Sequence, residues 1–271
     1  MRDRGVWYAA AMVPAPDPRT LWRIYNQGMA LVGQFAERGE TLLALDAALS
    51  LTGEPHLELN YAVVSGGDDA AERLRDFVAR DCFIRCEDDG FGWHALDAKT
   101  NGEPPTADCL AEDRVIWNTK HGNGLRVGAS METQRFENIA FRRIDVLEHA
   151  NAAIRSDHSD WALCKNIRFE HFTDESSART VEIVIAKTRY SNDTGYRDER
   201  GRYEGLHFSH LTSPGGEIIL RGFDANHRID QVTFENCVIG GRPVASRADL
   251  VTNEFVTNVS FTAATPATAT P

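Results

Sequence analysis

A short phrase that recurs along the chain restricts its fold more than any other feature: Asn138-Ile-Ala-Phe141, Asn166-Ile-Arg-Phe169, Gly205-Leu-His-Phe208, Gln231-Val-Thr-Phe234 and Asn258-Val-Ser-Phe261. Its phenylalanines are separated by 28, 39, 26 and 27 residues, and the one long interval contains a polar stretch, 187–204, that reads as an inserted loop. Each phrase alternates apolar and polar residues and runs into a second short apolar segment, such as Ile144-Asp-Val146 or Cys237-Val-Ile239. A polar or glycine turn then leads to a third, such as Val181-Glu-Ile-Val-Ile185 or Glu217-Ile-Ile-Leu220. Three short strands per repeat, with no helical period between them, describe one coil of a solenoid. A single coil cannot bury its own apolar face, so neighbouring coils must stack about 4.8 Å apart and share a core. The chain is expected to be all-β, a right-handed parallel β-helix over 57–262, with the five phenylalanines in one internal column.

The same pattern extends backwards more loosely through 76–84 and Arg114-Val-Ile-Trp117, with an insertion at 95–108. A β-sandwich would join its strands by tight Asn-Gly hairpins; the two Asn-Gly pairs, Asn101-Gly102 and Asn123-Gly124, do not join such runs. Residues 1–56 fall outside the repeat. Leu42, Leu45 and Leu49 have some helical spacing, while Gly28, Gly33 and Gly39 weaken a continuous helix. This segment is expected to be irregular or partly helical, either a cap over the open solenoid end or the remnant of missing coils. The alanine, threonine and proline tail at 263–271 is expected to be disordered.

A net charge of −11, from 29 basic and 40 acidic residues, disfavours nucleic acid as a partner, because phosphate binding needs a basic surface. No stretch approaches the roughly 20 apolar residues of a membrane-spanning helix. The run 6–13 after Arg2 and Arg4 sits at the short limit of a signal-peptide core and is followed at once by Pro14, Pro16 and Pro18. The chain as written therefore reads as cytoplasmic, or as a shortened form of a secreted protein. Five cysteines (Cys82, Cys86, Cys109, Cys164 and Cys237) have neither an even count nor metal-type spacing, and read as buried thiols. No cofactor and no metal are expected, and the oligomeric state is left open.

Acidic residues cluster at Gly66-Gly67-Asp68-Asp69 and again at Glu87-Asp88-Asp89-Gly90. Asp68 and Asp89 are 21 residues apart, close to one coil, which places the clusters on adjacent rungs. Two carboxyl groups on neighbouring rungs suit glycoside hydrolysis by inversion, which needs them about 6.5–9.5 Å apart. One donates a proton to the leaving oxygen and the other activates a water. Successive strand residues point to opposite faces, so Asp88 and Asp89 share a groove only where the backbone bends, and Gly90 supplies a bend.

The order of these features resembles the polygalacturonase family of pectin-cleaving glycoside hydrolases, within the pectin-lyase-like β-helices. That family carries Asn-Thr-Asp, then Asp-Asp about a coil later, then Gly-His-Gly, then Arg-Ile-Lys. Here Gly66-Gly67-Asp68, Asp88-Asp89, Asn123-Gly124-Leu-Arg-Val-Gly128 and Asn151-Ala-Ala-Ile-Arg155 stand in those places, so that the resemblance spans roughly residues 60 to 261. It implies Asp88 as general acid, Asp68 and Asp89 holding the water, and His121, Asn123 and Arg155 contacting a carbohydrate polymer or oligosaccharide. Two departures bear on the substrate. Asn123 replaces the family's histidine, with His121 two residues earlier, and the basic pair that grips a uronate carboxylate is reduced to Arg155. A lone arginine holds a carboxylate less well than a pair, so a neutral polymer, as for the β-helical dextranase-like relatives, fits at least as well as pectin.

Two other readings accompany this one. A non-catalytic β-helix that binds glycans or builds a surface assembly would explain the missing histidine. A polysaccharide lyase would hold Ca²⁺ on Glu87, Asp88 and Asp89. Trp93, Trp117 and His94 are candidates for a sugar-stacking subsite or for coil corners, Arg221–His227 reads as a turn closed by Asp224 and Asn226, and the loop from Tyr190 to Tyr203 is placed to wall the groove.

Overall fold

A computed structural model describes residues 78–262, apart from 96–97, 102, 104, 177 and 192–194, together with two strands upstream. Those strands, β1 (Leu42–Ala47) and β2 (Leu59–Val64), pair antiparallel. The expectations for the rest of residues 1–77 and for the tail at 263–271 fall outside the described residues, and so does Asp68.

From Val78 onward the chain winds as a parallel β-solenoid of about six turns, and each turn contributes one long and one short strand. The long strands are β3 (Val78–Cys86), β5 (Thr106–Asn118), β7 (Arg135–Glu148), β9 (Leu163–Asp174) and β11 (Arg202–Ser213). In the sixth turn the long strand is divided into β13 (Ile229–Glu235) and β14 (Val238–Ile239), and β17 (Val256–Thr262) stacks on β13 to begin a seventh. The short strands form a second sheet: β4 (Phe91–Ala95), β6 (Leu125–Met131), β8 (Ile154–His158), β10 (Val181–Ile185), β12 (Ile218–Arg221) and β16 (Val251–Thr252). A single helical turn, Ala98–Asn101, lies in the expected insertion between β4 and β5. The first two of the three strands expected per coil prove to be one continuous, bent strand.

The bends explain the repeated phrase. Its leading residue has positive φ in each coil where it is described: Asp108, Asn138, Asn166, Gly205, Gln231 and Asn258. Glycine adopts that conformation freely, and Asn and Asp tolerate it because their short polar side chains bond locally. Asn138 donates to Asp108 Oδ1 at 2.8 Å and Asn166 to Asn138 Oδ1 at 2.8 Å, so the bend residues of these three rungs hydrogen-bond to one another. Five residues later a second column, Asp113, Arg143, His171, His210 and Asn236, bends the strand again. It is held by Arg143 on Asp113 and by His171 stacked 4.4 Å from His210. This second column mixes Asp113 and Asn236, which tolerate the bend, with His171, His210 and Arg143, so no single residue type recurs to mark it in the sequence.

Between the bends the apolar residues turn inward and align rung on rung. Phe141, Phe169, Phe208, Phe234 and Phe261 stand directly opposite one another. Their rings are stacked with centroids 5.2, 5.2, 4.9 and 5.6 Å apart. The first four are buried and Phe261, on the outermost described strand, is only partly so. Ile139, Ile167, Leu206, Val232 and Val259 make a parallel column. Trp93 belongs to this interior, edge-on to Phe91 at 5.3 Å, and is not a sugar platform. Cys86, Cys109, Cys164 and Cys237 are buried thiols. At the carboxy-terminal end the 3-10 turn Arg247–Asp249 ties down the last coil, with Arg247 donating to the carbonyl of Val256 at 2.8 Å, and Val244 and Leu250 join the core beside it. Among the described residues no helix is long and apolar enough to cross a membrane.

Candidate functional site

Three of the segments singled out in the sequence sit at the same corner of the solenoid, where each long strand turns into the next short one. Residues 87–90 join β3 to β4, residues 119–124 join β5 to β6, and residues 149–153 join β7 to β8. The corners are zipped together: His121 N donates to Glu87 O, and Asn151 N donates to Gly122 O, both at 2.9 Å.

The backbone bends at 87–90, as a shared groove requires, and glycine is needed there for space. A Cβ on Gly90 would lie 2.3 Å from Ile116 Cγ2 and 2.8 Å from the carbonyl oxygen of Gly124. Within this turn the two aspartates have different surroundings. Asp88 is exposed, and among the described residues its Oδ1 accepts only the amide of Asp89, at 2.8 Å. Asp89 turns onto the neighbouring coil, where its Oδ1 accepts the backbone amide of Asn123 at 2.9 Å and the Asn123 side chain at 2.6 Å. Its Oδ2 takes Nη1 of Arg126 at 2.8 Å. Gly122 packs under Asp88 with φ of +72°, and a Cβ there would come within 2.5 Å of Asp88 Oδ1. Gly122→Ala is therefore expected to cost about 1–3 kcal/mol from the left-handed backbone and the overpacking. It should also shift the Asp88 side chain. Urea unfolding, with comparison of the Asp88 and Asp89 amide resonances, checks both parts, and an unperturbed turn would contradict the packing described.

Arg126 begins a network not foreseen from the sequence. The outward-facing residues of the short strands form a column in which Gly92, Arg126, Arg155 and Glu182 are in register. Gly92 leaves a notch over which His94 folds back, and the charges of Arg126, Asp89 and Asp88 all act on that ring. Arg126 uses Nη1 for Asp89 and Nη2 for Asp157, the latter at 3.1 Å. Arg155 binds Asp157 at 2.7 Å and also Glu182, which Arg179 shares. Three carboxylates and three guanidiniums thus alternate along the face. Burial opposes the charge on Arg126, but Asp89 and then Asp157 outweigh it and raise its pKa above the usual arginine value. Arg155 is raised likewise, burial being overcome by Asp157 and Glu182. Tyr190, on the loop after β10, lies 5.3 Å from the Arg126 guanidinium, whereas Tyr203, expected on the same loop, is in β11 with its ring in the core.

The remaining candidates are more peripheral. His121 is exposed on its turn, and Asn123 is buried, serving Asp89. Glu87 pairs with Lys120 at 2.9 Å, so that Glu87, Asp88 and Asp89 face three different partners. Among the described residues no group of three His, Cys, Asp or Glu side chains is arranged to hold a metal ion. Trp117 is half-buried, donating to Glu148 Oε2 at 2.9 Å with Arg85 over its ring. Asp224 closes the turn at Arg221–His227 by accepting from the amides of Asn226 and His227 and from the His227 ring.

Compared with known proteins, the chain matches no family model, no curated protein and no solved structure. The parallel β-solenoid fits the superfamily fold suggested by the sequence, while membership of the polygalacturonase family has no support beyond the motif order.

Proposed function

We propose that this protein is a glycoside hydrolase that cleaves a neutral glycan chain with inversion. The observation that carries the proposal is the division between neighbouring aspartates: Asp88 is exposed with no cation paired to it among the described residues, while Asp89 is clamped by Asn123 and Arg126. Acid–base chemistry needs one carboxyl able to carry a proton and another that is an acceptor, and unequal surroundings are how one fold supplies both. In this scheme Asp88 protonates the glycosidic oxygen as its bond to the anomeric carbon breaks. Water attacks that carbon from the opposite face and gives up a proton to Asp89. Asp68, proposed to share that water, lies outside the described residues, and the scheme stands on Asp88 and Asp89 alone.

The neutral substrate follows from the committed arginines. Arg126 and Arg155 each hold two carboxylates, which leaves neither free for a uronate. Incubation with dextran, laminarin and polygalacturonate, with proton NMR of the first product before mutarotation, tests the reading. Cleavage of a neutral glucan with an inverted anomer is the expected result. A retained anomer, or a strong uronate preference lost in Arg155→Ala, would refute it.

One observation favours a second reading, a non-catalytic glycan-binding β-helix. Asp89, Asp157 and Glu182 are all charge-paired, and Asn123, at the place of the resembled family's histidine, is used to hold Asp89. Tight glycan binding without product from any polymer would select it.

A further inference from the structure

The corner that carries Asp88 continues along the solenoid into a shallow cleft of about 280 Å³, lined by Ala150, Asn151, Ala178, Arg179 and Glu217. These residues belong to the three turns that follow the one carrying His121 and Gly122. We infer that this cleft is a distal sugar subsite, occupied by units of the same glycan two to four places from the cleaved bond. The inference rests on the hydrolase reading, and it makes the substrate a polymer or a long oligosaccharide.

Three features support it. First, the cleft is in line with the aspartates: Asn151 is hydrogen-bonded through its amide to Gly122, which packs against Asp88. Rungs advance about 4.8 Å each, close to the advance of one sugar unit in an extended chain, so a glycan lying along the axis keeps step with the coils. Asn151 is two rungs from Asp88 and Glu217 is four.

Second, the lining suits hydroxyl groups. Asn151 and Glu217 are exposed, and their side chains make no hydrogen bond to any described residue. Asn151 offers both a donor and an acceptor, and Glu217 an acceptor. Arg179 gives Nη1 to Glu182, while its buried Nε has no acceptor among the described residues. Third, Ala150 and Ala178 leave the walls low, so that a pyranose ring has room between the polar groups. One cation and one carboxylate at the cleft favour an uncharged ligand, in agreement with the paired arginines upstream.

The test uses the full chain with oligosaccharide ladders of two to eight units from dextran, laminarin and polygalacturonate. For the ladder that is cleaved, kcat/KM should rise with length, the hexamer exceeding the trimer by at least about tenfold. Ala178→Trp, which fills the cleft at its third rung, and the milder Glu217→Gln at the fourth should remove that gain through KM while leaving kcat unchanged. A length dependence that survives both variants would overturn the subsite while leaving the hydrolase reading intact. If no ladder is cleaved, the hydrolase reading fails, and calorimetric binding decides the subsite. Affinity that rises with length and is lost in the variants supports it, and absence of binding to all three ladders overturns it.

Discussion

Asp88→Asn is expected to lower glycan cleavage by about 10²–10⁴-fold, the range that a positioned acid contributes. Its melting temperature should stay within a few degrees of the parent. The substitution is close to isosteric and keeps an oxygen that can accept the Asp89 amide, so the turn at 87–90 has no reason to rearrange. Asparagine cannot deliver a proton, and the loss should fall on kcat more than on KM. Initial rates on a cleavable glucan, with circular dichroism melting of the same samples, provide the measurement. Turnover equal to the parent would remove Asp88 from the mechanism. A large fall in melting temperature would mean instead that the turn depends on the charge.

Phe169→Ala is expected to destabilise the protein by about 3–5 kcal/mol, the usual result of emptying a buried phenylalanine site. Phe169 is stacked 5.2 Å from the ring on either side, so the variant opens a gap in the middle of a continuous column. Each lost ring pair adds about 0.5–1.5 kcal/mol to the transfer term. Phe261 has one stacked neighbour and is partly exposed, so Phe261→Ala should have a clearly smaller effect. Urea unfolding of the two variants side by side gives the comparison, and equal losses would show that the column does not act as a stack.

Much of the fold was legible because a solenoid writes its geometry once per coil. The phenylalanine column follows from near-regular spacing, and the asparagine that opens the phrase marks a bend that needs positive φ. The merging of two expected strands into one was not legible, because the second bend falls on Asp113, Arg143, His171, His210 and Asn236, with no residue type repeated often enough to read as a motif. The site was legible at its turns and hidden on its face. Asp89 and Asn123 were chosen from motif order, but Arg126, Asp157 and Glu182 were missed because their pairing runs between coils about thirty residues apart. A signal was present: Leu125-Arg126, Ile154-Arg155 and Val181-Glu182 each put a charge directly after an inward apolar residue at the head of a short strand. Aligning the short strands on those inward apolar residues puts the three charges in one column.

Along the heads of the short strands, structure and chemistry occupy alternate letters. Leu125, Ile154 and Val181 face in and hold the coils together, while Arg126, Arg155 and Glu182 face out and pair across the coils. The outward letters are not independent of one another, because Arg126, Arg155 and Glu182 sit in one chain of mostly covered ion pairs that runs from coil to coil. A change at one of them strands a charge on the next coil, which is costly when the pair is covered. The inward column can therefore drift one residue at a time, whereas the outward column has to change in matched pairs.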